Sequence, residues 1–381
     1  MRSILASFRR TGQTGRKPAS LRHGVTVHAV TKRAFALDLS IFDSGVGILI
    51  AFGVATVAIL LAGTRLSGVA DRLADRTGLG EAVIGALLLG AATSLPGLIT
   101  SLAAAWNGLP ELAVSNAAGG IAAQTFFLAV ADVAYRKANL EHAAASLENL
   151  IQGTTLTGCL AIAIMASSLP GYAILGVHPA SLLIVVFYAL GLQVTRQARE
   201  EPGWQAVQTS DTAEDDPEED ESGETGTARL WTEFAALAAV TALAGFLVGR
   251  SAEAAVTTLG LSQSLVGSFG TAIVTSLPEL VTTVAAVRRG ALTLAVGGII
   301  GGNAFDVLFL AASDVAYREG SIYEAVTGSQ VFIVALSLFM AAVLVMGLLR
   351  RARQGPAGIG FETIVLIGAY LLGSAALIAA G

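Results

Sequence analysis

The 381-residue sequence carries little charge and lacks the residue patterns of several protein classes. Charged residues make up 13% of the chain, whereas a soluble domain usually carries about 25%. The one cysteine, Cys159, excludes disulfide bonds and cysteine-metal clusters within one chain. The four histidines are scattered and form no ligand pair at helical spacing. Most of this chain therefore cannot be exposed to water, and no histidine or cysteine metal cluster is expected.

Catalytic and nucleotide-binding motifs are also missing from the sequence. No glycine-rich phosphate loop with a following Lys-Ser/Thr is present, which argues against an ATP-driven pump. His-Glu-x-x-His and any Ser-His arrangement are absent too, which argues against an intramembrane protease. We therefore predict a protein that is not an enzyme and has no cofactor, nucleic-acid partner or obligate protein partner.

Long apolar runs dominate what is present. Hydrophobic residues make up 54% of the chain, and the mean hydropathy is +0.69. A helix needs about 20 apolar residues to cross a bilayer. Ten runs approach that length: 45–66, 79–106, 110–134, 147–168, 172–194, 230–250, 262–287, 291–315, 326–349 and 359–380. We predict an all-α, multi-pass protein of the cell membrane, with the lipid bilayer as its main surroundings.

One segment of the chain occurs twice. Residues 93–136 align without a gap to residues 275–318 at a constant offset of 182, and 23 of the 44 positions are identical. Ten runs divided between two copies give five helices each, and an odd number makes equivalent helices cross the bilayer in opposite senses. Duplication of this kind is typical of secondary transporters. The sequence thus predicts ten transmembrane helices arranged as two inverted five-helix repeats.

Composition divides the chain into four predicted parts. They are a basic N-terminal tail at 1–42, a first repeat at 43–200, an acidic cytoplasmic linker at 201–228 and a second repeat at 229–381. Most linker acids lie in residues 211–224, which favours a disordered, solvated tether. A calcium-sensing role is the alternative, but the linker lacks the spaced Asp/Asn–Gly–Glu pattern of an EF-hand loop.

Positive charge predicts which loops face the cytoplasm. One set of loops contains thirteen basic residues: Arg65, Arg72, Arg76, Arg136, Lys137, Arg196, Arg199, Arg229, Arg288, Arg289, Arg350, Arg351 and Arg353. The opposite set contains two, Arg250 and Arg318. We therefore place the first set and the linker in the cytoplasm and both termini outside. The basic tail at 1–42 disagrees with this orientation, and its role stays open.

The second copy contains a carboxylate next to a predicted helix break. Pro278 has no backbone N–H and frees the carbonyl of Val274 from its helical bond. Thr275 and Ser276 lie beside the break, and Glu279 follows it. A carboxylate inside an apolar span costs several kcal/mol unless a partner, water or ion satisfies it. Glu279 is therefore a candidate for a functional site.

The next helix supplies a second carboxylate. Its sequence GGIIGGNAFD contains overlapping small-xxx-small pairs that favour close helix approach. Asn303 and Asp306 are three residues apart and share one helix face. Together with Glu279 they offer oxygen ligands, which suit a hard cation such as Ca²⁺, Na⁺ or Mg²⁺. The alternative is a structural pair in which a protonated Glu279 or Asp306 hydrogen-bonds the other.

These motifs resemble a known family. Thr-Ser-Leu-Pro-Glu on one helix, followed by Gly-Gly-Asn-x-x-Asp on the next, is similar to the α-repeats of the cation/calcium exchanger superfamily, which includes the sodium/calcium exchangers. The resemblance covers residues 85–136 and 267–318, and ten helices with a linker after the fifth match the remainder. It implies cation antiport by alternating access.

Carried over position by position, the resemblance implies a set of ion ligands. In the second repeat these are Thr275, Ser276, Glu279 and Asp306, and Asn303 belongs to the same motif. In the first repeat they are Thr93, Ser94 and Gln124, and Asn116 matches an asparagine of the family motif. For Thr93, Ser94 and Asn116, helix-to-helix hydrogen bonding is an equally good interpretation.

The chain departs from the family pattern at several positions. The first-repeat glutamate is Gly97, the two motif serines are Gly120 and Gly302, and the first-repeat asparagine is Ile121. Gly298 replaces the second-repeat counterpart of Asn116. Ca²⁺ prefers six to eight oxygen ligands, so backbone carbonyls, Gln124 or retained water must complete its shell.

The leading prediction is exchange of Ca²⁺ for Na⁺ or H⁺ at one central site. A pair of bare carboxylates is costly to move past an apolar barrier, and either one divalent ion or several monovalent ions neutralise it. Exchange of another cation, such as Mg²⁺, Mn²⁺ or K⁺, is the first alternative. A cation channel is the second, although repeated segments with interrupted helices argue against it.

Overall fold

Helices form the regular secondary structure of the computed structural model. It describes residues 40–76, 83–135, 139–169, 171, 173–201, 203–204, 226–289, 292–351 and 360–380. Over that part of the chain there is no β-strand, only an isolated bridge between Ile174 and Val177. Nearly all of the predicted basic tail, the acidic run at 211–224 and the loop residues Arg136, Lys137 and Arg353 lie outside the described residues.

Seven α-helices make up the first repeat. They are α1 (Gly45–Ala58), α2 (Thr64–Arg76), α3 (Val83–Trp106), α4 (Pro110–Ala134), α5 (Leu140–Ala143), α6 (Leu147–Ser168) and α7 (Pro179–Glu200). A π-helical segment, Ile59–Gly63, joins α1 to α2, so that 45–70 is one membrane-crossing unit.

The described part of the second repeat contains nine α-helices. Its helices are α8 (Thr227–Leu259), α9 (Gln263–Leu265), α10 (Ala272–Thr275), α11 (Leu277–Arg289), α12 (Leu292–Asp306), α13 (Leu308–Ala316), α14 (Ile322–Ala325), α15 (Gly328–Arg350) and α16 (Phe361–Ala380). A π-helical segment, Val266–Thr271, joins α9 to α10.

Eight described helices are long and apolar enough to cross a membrane, and the bent pair Gln263–Thr275 and Leu277–Arg288 makes nine. The 24-residue α3 fills the remaining predicted run, so each of the ten predicted runs contains helix. The run predicted at 172–194 is shifted, because its helix begins at Pro179 and ends at Glu200. Pro179 suits the first turn of a helix, where no backbone donor is needed.

Burial separates central helices from peripheral ones. The most apolar window of α4 is 83% buried within the protein, and that of the α12–α13 span is 67% buried. The corresponding windows of α7, α8 and α16 are each only 28% buried. Their exposed leucines and valines suit contact with lipid, as expected for outer helices. The duplicated motifs therefore lie on the helices that form the centre of the bundle.

The two repeats differ in helix continuity. In the second repeat the helical path bends by 46° between Thr275 and Leu277. It is interrupted again at Val307, between α12 and α13. In the first repeat α3 runs continuously through Pro96, and α4 is continuous as well. Both helix breaks therefore lie in the copy that carries Glu279 and Asp306.

Candidate functional site

Glu279 lies in the first turn of α11, directly after the bend at Ser276. Pro278 beside it is compatible with a helix start, because the first turn needs no intrahelical donor. The N-terminal end of a helix carries partial positive charge and favours an anionic side chain. The bend thus places a carboxylate at a helix start within the bundle, where it is only 4% exposed.

Asp306 is the last residue of α12, at the second helix break, and is 3% exposed. Gln124 of α4 donates a hydrogen bond of 2.7 Å from Nε2 to Asp306 Oδ2. The same Nε2 lies 3.3 Å from the Ser276 hydroxyl. Gln124 and Asp306 are equivalent positions, 182 residues apart, so the two repeats meet through matching residues.

The two carboxyl groups lie close enough to interact electrostatically. The hydroxyls of Thr93 and Ser94, on α3, face Glu279 from the other repeat. Neither completes a hydrogen bond to it, because both Glu279 oxygens lack a partner and Thr93 instead donates to the Gly90 carbonyl at 3.0 Å. Thr93 and Ser94 of the first repeat therefore lie on the side of the two carboxyl groups that faces α3.

Seven side-chain oxygens of this residue set have no hydrogen-bond partner. Each is buried, and each belongs to a residue that the sequence singles out. They are Ser94 Oγ, Asn116 Oδ1, Gln124 Oε1, Glu279 Oε1 and Oε2, Asn303 Oδ1 and Asp306 Oδ1. A buried polar atom normally has a partner, because leaving it without one costs about 1–3 kcal/mol. Bare acceptors in one place therefore favour a cation that the protein alone does not supply.

The asparagines of the predicted set are each held through the side-chain amide nitrogen. Asn116 donates to the Gly97 carbonyl at 3.1 Å and to Ser101 at 2.8 Å. Asn303 donates to the Thr125 hydroxyl at 3.0 Å. These contacts use the amide nitrogens and leave the amide oxygens bare. The helix-to-helix hydrogen bonding expected for Asn116 is therefore present, and it does not exclude a role for the oxygen.

Thr275 and Ser276 line the bend itself. The Thr275 hydroxyl donates to the Ala272 carbonyl at 3.3 Å. A side chain at Gly120 would come 3.6 Å from Ser276 Oγ and 3.9 Å from Asp306 Oδ2. The absence of a side chain there leaves the room between these oxygens open.

The chemistry of the site is that of a hard-cation site with two charges. No group of three His, Cys, Asp or Glu side chains arranged to hold a metal ion occurs in the ranges that the structure covers. Two carboxylates, four hydroxyls and three amide oxygens are the oxygen ligands available. Such a donor set suits Ca²⁺ or Na⁺ and is unsuited to soft metals.

Phe309 also borders the site, and the sequence did not reveal this. A Cβ at Gly97 would lie 3.0 Å from the Phe309 ring and 3.5 Å from the Thr275 hydroxyl. The ring therefore occupies the space into which a first-repeat glutamate would extend. Phe309 lies three residues beyond Asp306, in a motif position where sequence pattern alone predicts ordinary core packing.

Comparison with known sequences decides the family. The profile of the sodium/calcium exchanger protein family matches residues 47–194 and 229–378. The chain belongs to the sodium/calcium exchanger family. It is accordingly a membrane transporter of the cation-exchange class rather than an enzyme.

Relatives and solved structures agree with this assignment. The chain is 28% identical to the inner membrane protein YrbG of Escherichia coli (strain K12), over 84% of this chain and 93% of that protein. It is 27% identical to the putative antiporter CaxA of Alkalimonas amylolytica, over 79% and 93% of the two chains.

The fold is similar to that of two solved structures. The sodium-calcium exchanger NCX_Mj covers 86% of this chain and 97% of its own, with a TM-score of 0.55 and 17% identity. Native YfkE covers 86% and 92%, with a TM-score of 0.55 and 16% identity. The predicted all-α membrane fold of two five-helix repeats is confirmed.

Proposed function

We propose that this protein is a secondary antiporter of the cell membrane that exchanges Ca²⁺ for Na⁺ or H⁺. Transport takes place by alternating access at one central site, where Glu279 and Asp306 supply the charge. Thr275, Ser276, Asn303, Thr93, Ser94, Gln124 and Asn116 supply neutral oxygens. YrbG is named as an inner membrane protein and CaxA as a putative antiporter, and both names agree with this proposal.

The observation that carries the proposal is the set of bare oxygens around two buried carboxylates. They come from α3 and α4 of the first repeat and from α11 and α12 of the second. A site built across the repeat interface changes its exposure when one repeat moves against the other, as alternating access requires.

Charge balance explains why such a site favours exchange over leak. An isolated ionised group in the bilayer interior costs several kcal/mol, so a site with two bare carboxylates crosses an apolar barrier slowly. One divalent ion, two sodium ions or two protons cancel its charge equally. The site therefore changes orientation readily only when loaded, which couples movement of one ion to return of another.

A cavity of about 260 Å³ supports an access route from one side. Its outer lining includes Glu148 and Arg199, which lie near loops predicted to be cytoplasmic. Its inner lining includes Gly301, Ala304 and Phe305, on the helix that ends at Asp306. The cavity thus reaches α12 between α6 and α7, and neither carboxylate of the proposed transport site lines it.

Flux in proteoliposomes tests the proposal. Glu279→Gln and Asp306→Asn each remove one charge with little change in shape, and we expect at least a ~100-fold loss of calcium uptake driven by an opposing gradient. Glu253→Gln is the matched control, because Glu253 is only partly buried and pairs with Arg250 away from the site. Undiminished exchange in both site variants would refute the central role of the pair.

The exchanged ions are tested by imposing gradients one at a time. Sodium, proton and potassium gradients are applied separately to vesicles that contain labelled calcium, and the gradient that drives counterflow identifies the partner ion. Competition by Mg²⁺, Mn²⁺ or K⁺ tests the second candidate, exchange of another cation, which the loss of a carboxylate at Gly97 favours. Single-channel currents at near-diffusive rates would instead indicate a channel.

A further inference from the structure

A second group of buried acids lies away from the central site. Asp132 near the end of α4, Glu141 on the short α5 and Glu362 at the start of α16 are 2%, 0% and 0% exposed. Burial of carboxylates without compensating partners is costly, so each needs an explanation. None of them belongs to the proposed transport site.

Asp132 is fully accounted for by hydrogen bonds. Its Oδ1 accepts from the Leu140 backbone N–H at 2.8 Å, which holds the start of α5. Its Oδ2 accepts from the Thr363 hydroxyl at 2.6 Å, which holds the start of α16. Asp132 therefore has its own hydrogen-bond donors and joins two helix starts.

The two glutamates are not accounted for in this way. Glu362 Oε1 accepts from Asn139 Nδ2 at 2.5 Å, but Glu362 Oε2 and both Glu141 oxygens have no donor. The two carboxyl groups lie within hydrogen-bonding reach of each other. Asn139 links the two residues, because its Oδ1 accepts from the Glu141 backbone N–H at 3.1 Å while its Nδ2 donates to Glu362. Two ionised carboxylates so close repel each other, and a proton between them would satisfy both.

The structure has made room for Glu362 in particular. A Cβ at Gly347 would lie 2.8 Å from Glu362 Cγ, and a Cβ at Gly360 would lie 2.2 Å from Glu362 Oε1. Two positions without a side chain therefore border this carboxyl group, one on α15 and one just before α16. Its burial is thus a specific feature of the packing.

The other end of the molecule serves as an internal control. Asp314, the counterpart of Asp132, accepts from the backbone of Ile322 at 2.8 Å and from Ser181 at 2.8 Å. There, Tyr323 replaces Glu141 and Ala180 replaces Glu362. The same backbone arrangement therefore forms with one acid instead of three, and the fold itself does not require the two glutamates.

We propose that Glu141 and Glu362 share one proton and form a proton-binding site that fastens α16 to α5, apart from the transport site. A metal ion fits less well, because Asp132 is already satisfied and no three acidic, His or Cys side chains are arranged as a metal site where the structure is described. The site lies at the membrane face predicted to be cytoplasmic.

The surroundings favour the protonated form of the pair. Burial raises the pKa of the Glu141 carboxyl well above its ordinary value of 4.5, and the charges of Asp132 and Glu362 raise it further. Among the described residues, Arg351 donates to the His142 carbonyl at 3.3 Å, and His142 Nδ1 lies 2.8 Å from the Arg351 carbonyl. Neither group forms a salt bridge with the glutamates among the described residues.

The effect of pH on stability follows from the raised pKa of Glu141. A carboxyl whose pKa is higher in the folded state binds its proton more tightly there than in the unfolded chain. Its contribution to stability is complete below the unfolded value of 4.5 and is lost as the pH rises through the folded pKa. Raising the pH at this face should therefore release α16 from α5.

Infrared spectroscopy of the full-length protein tests the proposal without relying on transport. At neutral pH we expect the C=O band of one buried protonated carboxyl that disappears on titration to high pH. Glu141→Gln and Glu362→Gln should each remove it, whereas Glu279→Gln should leave it in place. If both glutamate variants retain the band, or if calcium binding rather than pH removes it, the proposal is wrong.

A second variant keeps the test valid if a single substitution disturbs folding. Glu141→Tyr combined with Glu362→Ala copies the composition of the other end, which the same backbone arrangement accommodates. We expect this double variant to fold and to show a flatter dependence of unfolding temperature on pH than the original protein. An unchanged pH dependence would overturn the proposal.

Discussion

The two repeats share a fold but differ at their centres. Where the second repeat has Glu279 and Asp306, the first has Gly97 and Gln124. The second repeat is bent by 46° before Leu277 and interrupted again after Asp306, whereas the first repeat is continuous at both places. Acids and helix breaks thus occur together, and the repeat without the acids keeps its helices whole.

This difference indicates a division of labour between the repeats. The second repeat supplies the charge, while Gln124, Thr93 and Ser94 of the first supply neutral polar groups that hold or face the carboxylates. Phe309 fills the space next to Gly97. In the proposed function, two carboxylates would be balanced by a single divalent ion or two monovalent ions.

The largest effect is expected from giving the first repeat an acid. Gly97→Glu forces a charged side chain against the Phe309 ring, which a Cβ alone would approach to 3.0 Å. Because a charge buried in an apolar span costs several kcal/mol, we expect exchange in proteoliposomes to fall at least ~100-fold.

Gly97→Glu combined with Phe309→Ala is the matched control for steric conflict. It opens the space, and we expect part of the exchange activity to return with an altered preference between divalent and monovalent ions. Normal exchange by the single variant would show that the repeats are not specialised in this way.

A large loss of stability is expected at the ends of the bundle. Asp314 accepts hydrogen bonds from His178 and Ile322 backbones and from the Ser181 and Ser321 hydroxyls. Each buried donor left bare costs about 1–3 kcal/mol, so Asp314→Ala should lower the free energy of unfolding by about 3 kcal/mol or more. Thermal unfolding in detergent measures this.

Asp132→Ala provides the comparison at the other end. Asp132 accepts from the Leu140 backbone and the Thr363 hydroxyl, and removing its charge relieves repulsion of Glu141 and Glu362. We therefore expect a smaller loss than for Asp314→Ala. A larger loss would show that repulsion among Asp132, Glu141 and Glu362 does not weaken that end of the bundle.

A moderate effect is expected at the contact between equivalent residues. Gln124→Ala removes the 2.7 Å hydrogen bond to Asp306 and one amide oxygen of the site. A hydrogen bond to a charged group is worth about 1.5–3 kcal/mol, so cation affinity should fall about 10-fold or more. Isothermal titration with calcium measures the change, and unaltered affinity would exclude Gln124 from the site.

The smallest effect on stability is expected where the first membrane-crossing segment of each repeat packs against the proline-containing helix of the other repeat. Gly245 packs on Pro96, and a Cβ there would lie 2.6 Å from the Pro96 carbonyl oxygen. Its counterpart Gly63 packs on Pro278, where the same atom would meet the ring Cγ at 2.6 Å. Overpacking costs about 1–3 kcal/mol, and a ring shifts more easily than backbone.

Unfolding temperatures should therefore fall more for Gly245→Ala than for Gly63→Ala. The opposite order would show that the helix crossing in the second repeat is the more rigid of the two. Gly68→Ala, where a Cβ meets nothing within 4 Å, is the control for both.

Much of the fold follows from local sequence properties. Apolar length predicts each membrane helix, because the bilayer sets the required length independently of neighbours. The run at 172–194 is the exception in position, since Pro179 moves the helix start. Duplication predicts the pairing of repeats, and Glu279 and Asp306 stand out because charge is rare in apolar spans.

Other features depend on contacts between distant residues. Pro96 and Pro278 both follow Thr-Ser-Leu, yet the described chain is bent there only in the second repeat, where Glu279 instead of a glycine follows the proline. The shared Thr-Ser-Leu-Pro segment therefore does not decide whether the helix continues. The Asp-Val-Ala-Tyr-Arg segment repeats visibly, but nothing local shows that Asp132 and Asp314 each bind a helix of the opposite repeat.

The sequence by itself determined the class of protein and the order of its apolar segments, and it singled out Glu279 and Asp306, because hydropathy and charge are properties of the chain itself. Only the tertiary structure decided that Gln124 meets Asp306, that Phe309 lies at Gly97 and that Glu141 reaches Glu362. Those contacts join residues far apart in the chain, and they exist only once the two repeats have packed together.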